Sequence, residues 1–198
     1  MKRCTLTLVL SGLILVSPVS LAEENFLTAK LAIYRATVKE LSGTLLSELT
    51  ATLKAGNPAK AIEVCNTKAP VVSAKVSEKA DLKVGRTSLK PRNLKNTPDA
   101  WEEGVLKTFE ARKAKGENPQ TLEYYEVVEK EGQRQMRYMK AIPTVELCLT
   151  CHGTEITPEI QAKLNGLYPE DKATGFKVGD LRGAFTLTDR LSPASSNQ

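Results

Sequence analysis

The sequence predicts an α+β domain, with helices filling its first half and antiparallel strands its second. Three observations carry this. From Asn25 to Lys54 the apolar residues Leu27, Leu31, Tyr34, Val38, Leu41, Leu45, Leu49 and Leu53 step by threes and fours, as along one face of a long amphipathic helix. About Glu131-Gly132, the runs Leu122 to Val128 and Gln133 to Ile142 are enriched in Tyr, Val and Met and read as a β-hairpin. Gly179-Asp180-Leu181-Arg182-Gly183 then turns into a last strand, Ala184 to Leu187. Helices followed by strands is the pattern of a sheet with helices packed to one side.

Before the first helix, Met1-Lys2-Arg3 is basic, Thr5 to Val16 is almost wholly apolar, and Ser20-Leu21-Ala22 places small residues where an export protease reads them. Residues 1–22 therefore read as a signal peptide cleaved after Ala22, which sends the chain to the periplasm. The apolar stretch is shorter than the ~20 residues a membrane-spanning helix needs, so no integral membrane segment is expected after cleavage. Cys4 lies ahead of the apolar run and leaves with it. Removing 22 of 198 residues leaves 176 and takes away two basic and no acidic residues, so the formal charge falls from +5 to +3. That slight excess is spread along the chain, which argues against a nucleic-acid partner. The length suits one domain, residues 23–191, and the tail from Ser192 to Gln198 reads as disordered.

Between these ends, Asn57 and Pro58 cap and open a short helix through Ala61, Ile62 and Cys65, whose thiol is expected along the buried stripe. Pro70 reads as the start of a further helix ending near Asp81. Val84 to Asn96 is basic and turn-rich, a short strand running into a loop. Thr97-Pro98-Asp99 opens a helix past Trp101, Val105, Leu106 and Phe109 to about Lys115. Thr157-Pro158-Glu159 opens a short one through Ile160 and Leu164, ending at Asn165-Gly166.

Chemistry concentrates in Cys148-Leu149-Thr150-Cys151-His152. This is the spacing at which haem c is attached: two thiols one turn apart add to the vinyl groups on one porphyrin edge, and the next residue offers its imidazole to the iron. Two other readings compete. A thioredoxin-like pair would follow a buried strand and open a helix, whereas here the motif stands between Pro143 and Gly153. A zinc site would need one more cysteine and two well-separated ligand pairs, and adjacent Cys151 and His152 serve one tetrahedral ion poorly. Export and haem attachment agree on one compartment. With two thiols joined to haem, the mature chain keeps one other cysteine, Cys65, and His152 is the only histidine in the sequence. The second axial position therefore falls to Cys65, Met136 or Met139, or stays open. Met136 and Met139, three apart on a strand, point to opposite faces, so at most one can meet the iron. A structural, buried Cys65 is the plain alternative.

Several stretches together give a family resemblance: Ala61-Ile62-Glu63-Val64-Cys65 with Ala69-Pro70, Val84 to Lys90 with Arg92-Asn93, Pro98 to Glu102, Cys148 to Gly153, and Gly179 to Ala184. In this order they resemble the exported single-haem c-type proteins with a PAS-like fold, typified by cyanobacterial Tll-type proteins. The resemblance implies a PAS-like antiparallel sheet with a long N-terminal helix and further helices packed around it. It also implies one covalent haem, with the motif histidine and an upstream cysteine, here Cys65, as axial ligands.

Arg86, Lys90, Arg92 and Asn93 are candidates to hold the haem propionates through charge-assisted bonds, the alternative being a solvated basic loop, and Arg86 and Arg92 are the two carried forward. Trp101 either meets the porphyrin edge or fills core. A thiolate ligand favours ferric iron and gives a low potential. With both axial sites filled by protein, low-potential electron transfer to an unidentified redox partner is expected in preference to enzymatic turnover. The alternative is a redox or gas sensor in which exchange at the Cys65 side changes the surface offered to a signalling partner. No kinase or membrane segment follows Leu191, which weighs against a self-contained receptor. A haem-free thiol oxidoreductase is the third reading.

Overall fold

A computed structural model of the chain describes residues 21–191. The expected signal peptide lies outside these residues but for its last two positions, and the expected tail lies wholly outside. The chain divides after Ile33 into two compact units. In the first, the Lys30 ammonium stands 5.7 Å from the centre of the Phe26 ring, one helical turn away.

Helix α1 spans Leu21–Lys54, matching the long amphipathic stripe. In the second unit its residues Tyr34 and Leu41 are fully buried. Helix α2, Pro58–Ala80, is one continuous helix capped by Asn57, whose side chain accepts from the Lys60 amide. The expected restart at Pro70 does not occur. Proline favours a first turn, but Ala61, Ile62, Ala69 and Val76 form one buried stripe, and burying it keeps the helix going through the missing amide. Strand β1, Lys83–Thr87, follows, then a single 3₁₀ turn and helix α3, Ala100–Ala114. Asp99 caps α3 reciprocally with Glu102: the Glu102 amide donates to Asp99 Oδ1 at 2.9 Å and the Asp99 amide to Glu102 Oε2 at 3.1 Å.

Strands β2, Glu123–Lys130, and β3, Gln133–Pro143, form the expected hairpin about Glu131-Gly132. Helix α4, Glu146–His152, contains the whole Cys-Leu-Thr-Cys-His motif, and α5 spans Pro158–Leu167. Strand β4, Leu181–Arg190, runs three residues past each end of the expected Ala184–Leu187, because Leu181 and Gly183 before it and Thr188 to Arg190 after it also pair with β3. The sheet order is β1-β4-β3-β2, antiparallel throughout.

Register and side-chain contacts sort the two sheet faces. Arg137, Met139 and Ala141 of β3 lie with Ala184 and Thr186 of β4 on the face that meets α3. There Met139, Ala141 and Ala184 pack with Val105, Leu106 and Phe109, and Thr186 donates to Glu102 at 2.7 Å. Tyr138 lies on the other face, where its ring meets Tyr34 of α1, and Val84 and Arg86 of β1 pair in register with Leu187 and Phe185 on that same side. Both faces of β3 are therefore buried, which corrects the one-sided packing expected from the pattern. Met136 and Met139 do point to opposite faces, and both are buried, at 1% and 0% exposure.

Candidate functional site

The motif sits on a short helix because β3 ends at Pro143 and Val145 begins the turn, with the Cys148 amide donating to the Val145 carbonyl. It thus follows a buried strand and lies in a helix, contrary to expectation, so placement alone no longer speaks against a thiol pair. The strand before it is antiparallel to its neighbours, however, and no βαβ unit forms among the described residues. Cys148 and Cys151 are half-buried, and Cys65, Cys148 and Cys151 are all free thiols.

His152 ends α4 and is held from one side. Its Nδ1 lies 2.7 Å from the Ala173 carbonyl oxygen and 3.3 Å from Arg182 Nε. A carbonyl only accepts, so Nδ1 carries the proton and donates to Ala173. The Arg182 contact is then an approach of two N–H groups and not a hydrogen bond. This tautomer leaves Nε2 with its lone pair, as a ligating histidine requires. Burial first, then Arg182 and Arg92, holds the imidazole pKa well below its ordinary value despite the opposing Ala173 bond, so the ring is neutral at pH 7.

The Ala173 carbonyl is itself fixed. The Ala173 amide donates to Asp171 Oδ1 at 2.7 Å, and Arg92 ties the loop to α4, with Nε to Asp171 Oδ2 at 3.0 Å and Nη2 to the carbonyls of Cys151 and Ala173 at 2.5 and 3.2 Å. Two backbone bonds, Gly175 N–H to Gly153 O and Phe176 N–H to His152 O, continue this seam. Phe176 meets the His152 ring edge-on at 6.3 Å between centroids, with Arg182 and Lys90 over its face. Lys90 also donates to the Thr174 carbonyl, and Asn93 caps the 3₁₀ turn through the Lys95 amide.

On α2, Cys65 stands four residues from Ala61 and four from Ala69, which are 1% and 4% exposed, yet Cys65 is itself exposed. The thiol stays accessible to water while protein crowds it on several sides. Burial pushes its pKa up, opposed by the charges of Arg86, Arg92 and Arg182. The expected buried thiol is thus corrected: the stripe opens at this one position, toward the arginines and the motif. Burial pushes the Cys151 thiol up as well, Arg92 opposes this and Cys65 and Cys148 add to it, so the three thiols share one locality.

Arg86, on β1, is only part-exposed, and its guanidinium makes no hydrogen bond or ion pair with another described residue. Burial lowers its pKa, against the pull of Cys65 and Tyr168. Trp101 lies on the other sheet face, packed beside Val105 and Leu106, donating to Glu126 at 2.7 Å and facing Arg137 at 4.2 Å. It is core and rim, and has no place beside the motif.

Among the described residues no three His, Cys, Asp or Glu side chains converge closely enough to hold a bare ion. The donor set suits a metal that brings its own equatorial ligands: one neutral imidazole with Nε2 free, one thiol at an opening in a buried stripe, two thiols one helical turn apart, and one unpaired guanidinium. These residues fit a covalently attached haem. Sequence reading missed Arg182, Asp171, Phe176 and the Ala173 carbonyl. Arg182 stood inside the Gly179 to Ala184 stretch, where it read as part of a turn.

Fold and site together define an α+β domain that presents a Cys-x-x-Cys-His helix beside the Arg86-bearing face of a four-stranded antiparallel sheet. The chain belongs to the Tll0287-like family, whose model matches residues 20–188. It is also similar to a solved structure, described as the cyanobacterial haem protein Tll0287, with 20% sequence identity and a TM-score of 0.63 over 84% of this chain and 98% of that one. That likeness shows the shared PAS-like fold. No curated protein matches the chain.

Proposed function

We propose that the chain is an exported single-haem c-type protein whose function is low-potential electron transfer. The observation that carries this is the 2.7 Å contact of His152 Nδ1 with the Ala173 carbonyl, which commits the Nδ1 proton and leaves the Nε2 lone pair to an iron at the end of a Cys-x-x-Cys helix. Cys148 and Cys151 would hold the haem through thioethers, His152 and Cys65 would ligate its iron, and the signal peptide read in residues 1–22 would direct the chain to the periplasm. The description of the similar structure as a haem protein supports the same reading.

When bound, haem supplies a one-electron ferric–ferrous couple. The chain's own residues orient and hold. Arg92 pins α4 to the Asp171–Ala173 loop, and Arg86, with its guanidinium uncommitted, is the partner proposed for a propionate. Arg92 fits that role less well, because its Nε and Nη2 are bound within the protein.

The test is to express the full chain in a bacterium equipped for c-type haem attachment and to take the intact mass. The expected product is residues 23–198 plus one haem, resistant to acid-acetone and low-spin when ferric. Cys65→Ala should change that spectrum and raise the midpoint potential. Colourless exported protein, or haem lost to acid-acetone, removes the proposal, and an unaltered Cys65→Ala spectrum removes Cys65 as ligand. The water-accessible Cys65 thiol supports sensing by ligand exchange as a second reading. A ferrous spectrum unchanged by carbon monoxide counts against it.

A further inference from the structure

Arg182 is held against the wrong side of His152 for a hydrogen bond. Its Nε approaches an Nδ1 already donating to Ala173, which sets like against like at 3.3 Å. Such a contact persists only where other bonds enforce it. Here they do: Arg182 Nη1 donates to Ser88 Oγ at 3.2 Å and to the Lys90 carbonyl at 3.3 Å, Ser88 Oγ donates in turn to the Arg182 carbonyl at 2.8 Å, and the guanidinium lies 5.3 Å from the Phe176 ring centre.

We propose that Arg182 is a positioning residue that would set the reduction potential of a bound haem from the histidine side, its fixed charge beside Nδ1 making His152 a weaker donor than it would otherwise be. This rests on the haem reading above. A histidine whose Nδ1–H faces a carboxylate gains basicity and stabilises ferric iron. A carbonyl acceptor with a cation beside it does the reverse. The charge favours the ferrous form, because the reduced centre carries one positive charge fewer. Arg182 thereby opposes Cys65, and the potential reflects the balance of the two.

The experiment is spectroelectrochemical titration of haem-loaded Arg182→Gln and Arg182→Lys beside the parent protein. In Arg182→Gln the ferric form should gain about tenfold, a midpoint lower by about 59 mV for one electron. Arg182→Lys should recover much of this. His152 is the only histidine in the sequence, so ¹⁵N-histidine labelling of the ferrous protein reads its ring alone, and the Nδ1 resonance should move in Arg182→Gln. A haem-loaded Arg182→Gln with an unmoved midpoint overturns the proposal. So does a moved midpoint with an unmoved Nδ1 resonance, which places the effect at a propionate. Should Arg182→Gln fail to mature, Ser88→Ala removes one of the two bonds from Nη1 while keeping the charge. A smaller fall in midpoint is then expected, and none overturns the proposal. Parent protein without covalent haem refutes the haem reading itself, a separate outcome.

Discussion

At the scale of single residues, Gly153 shows how tightly the end of the motif is built. Its φ of −72° and ψ of −170° are open to any residue, so the requirement for glycine is steric. A Cβ there would stand 2.6 Å from the Leu149 carbonyl oxygen and 3.3 Å from its carbonyl carbon. That carbonyl accepts the Gly153 amide, and the Gly153 carbonyl in turn accepts the Gly175 amide. Gly153→Ala should therefore cost about 1–3 kcal/mol and lower the fraction of purified chains that carry haem, read as the ratio of Soret to protein absorbance. A full haem complement and unaltered denaturant midpoint would show that α4 yields without cost. Which residues matter was partly legible in the sequence. Cys148, Cys151 and His152 announce themselves by spacing, and Cys65 stood out as the one other cysteine of the mature chain. The Ala173 carbonyl was not legible, since a backbone group leaves no mark in residue type. Arg92 read as a candidate propionate partner, since its own partner Asp171 lies 79 positions away and leaves no local mark.

At the scale of elements, α2 is where local and tertiary preferences collide. Pro70 has no amide to offer the Asn66 carbonyl, and its ring crowds that carbonyl, which costs a helix interior about 3 kcal/mol. Local rules alone therefore break the helix there. The buried stripe on either side of Pro70 overrules them, and no reading of the segment in isolation shows that Ile62 packs with Ile160 and Leu164 of α5. The α3 start, by contrast, was legible from Thr97-Pro98-Asp99, because its capping partner lies three residues away. Since Pro70 is exposed, Pro70→Ala should raise stability by about 1–3 kcal/mol. Thermal and urea unfolding of the haem-loaded variant read this directly. A lower midpoint would mean that the proline shapes the turn presenting Cys65 and that this shape matters more than one backbone bond.

At the scale of the whole molecule, separate elements are tied by carboxylates whose partners are far away in sequence, and these make the fold sensitive to acid. Glu123 of β2 is held below the ordinary carboxylate range chiefly by hydrogen bonds from Arg35 of α1, with Tyr138 of β3 adding to them against the effect of burial. Burial raises Asp99, but the Glu102 amide and Arg137 of β3 outweigh it and hold Asp99 low as well. The Lys177 amide and Lys113 of α3 hold down Asp180, just ahead of β4. Each of these groups binds its proton more weakly folded than unfolded, so the unfolded chain gains protons first as pH falls. Their contribution is complete above the unfolded carboxylate pKa of about 4 and is lost as pH falls through the lower folded values. The thermal midpoint of the haem-loaded protein should thus stay level from pH 7 to about 5 and drop below about 4. Glu123→Gln, which keeps an acceptor for Arg35 but has no proton to gain, should lower the plateau and flatten part of the acid limb. If the limb keeps its full slope in Glu123→Gln and in Asp99→Asn alike, acid acts elsewhere, and the bonds between α1, α3 and the sheet contribute less than their geometry implies.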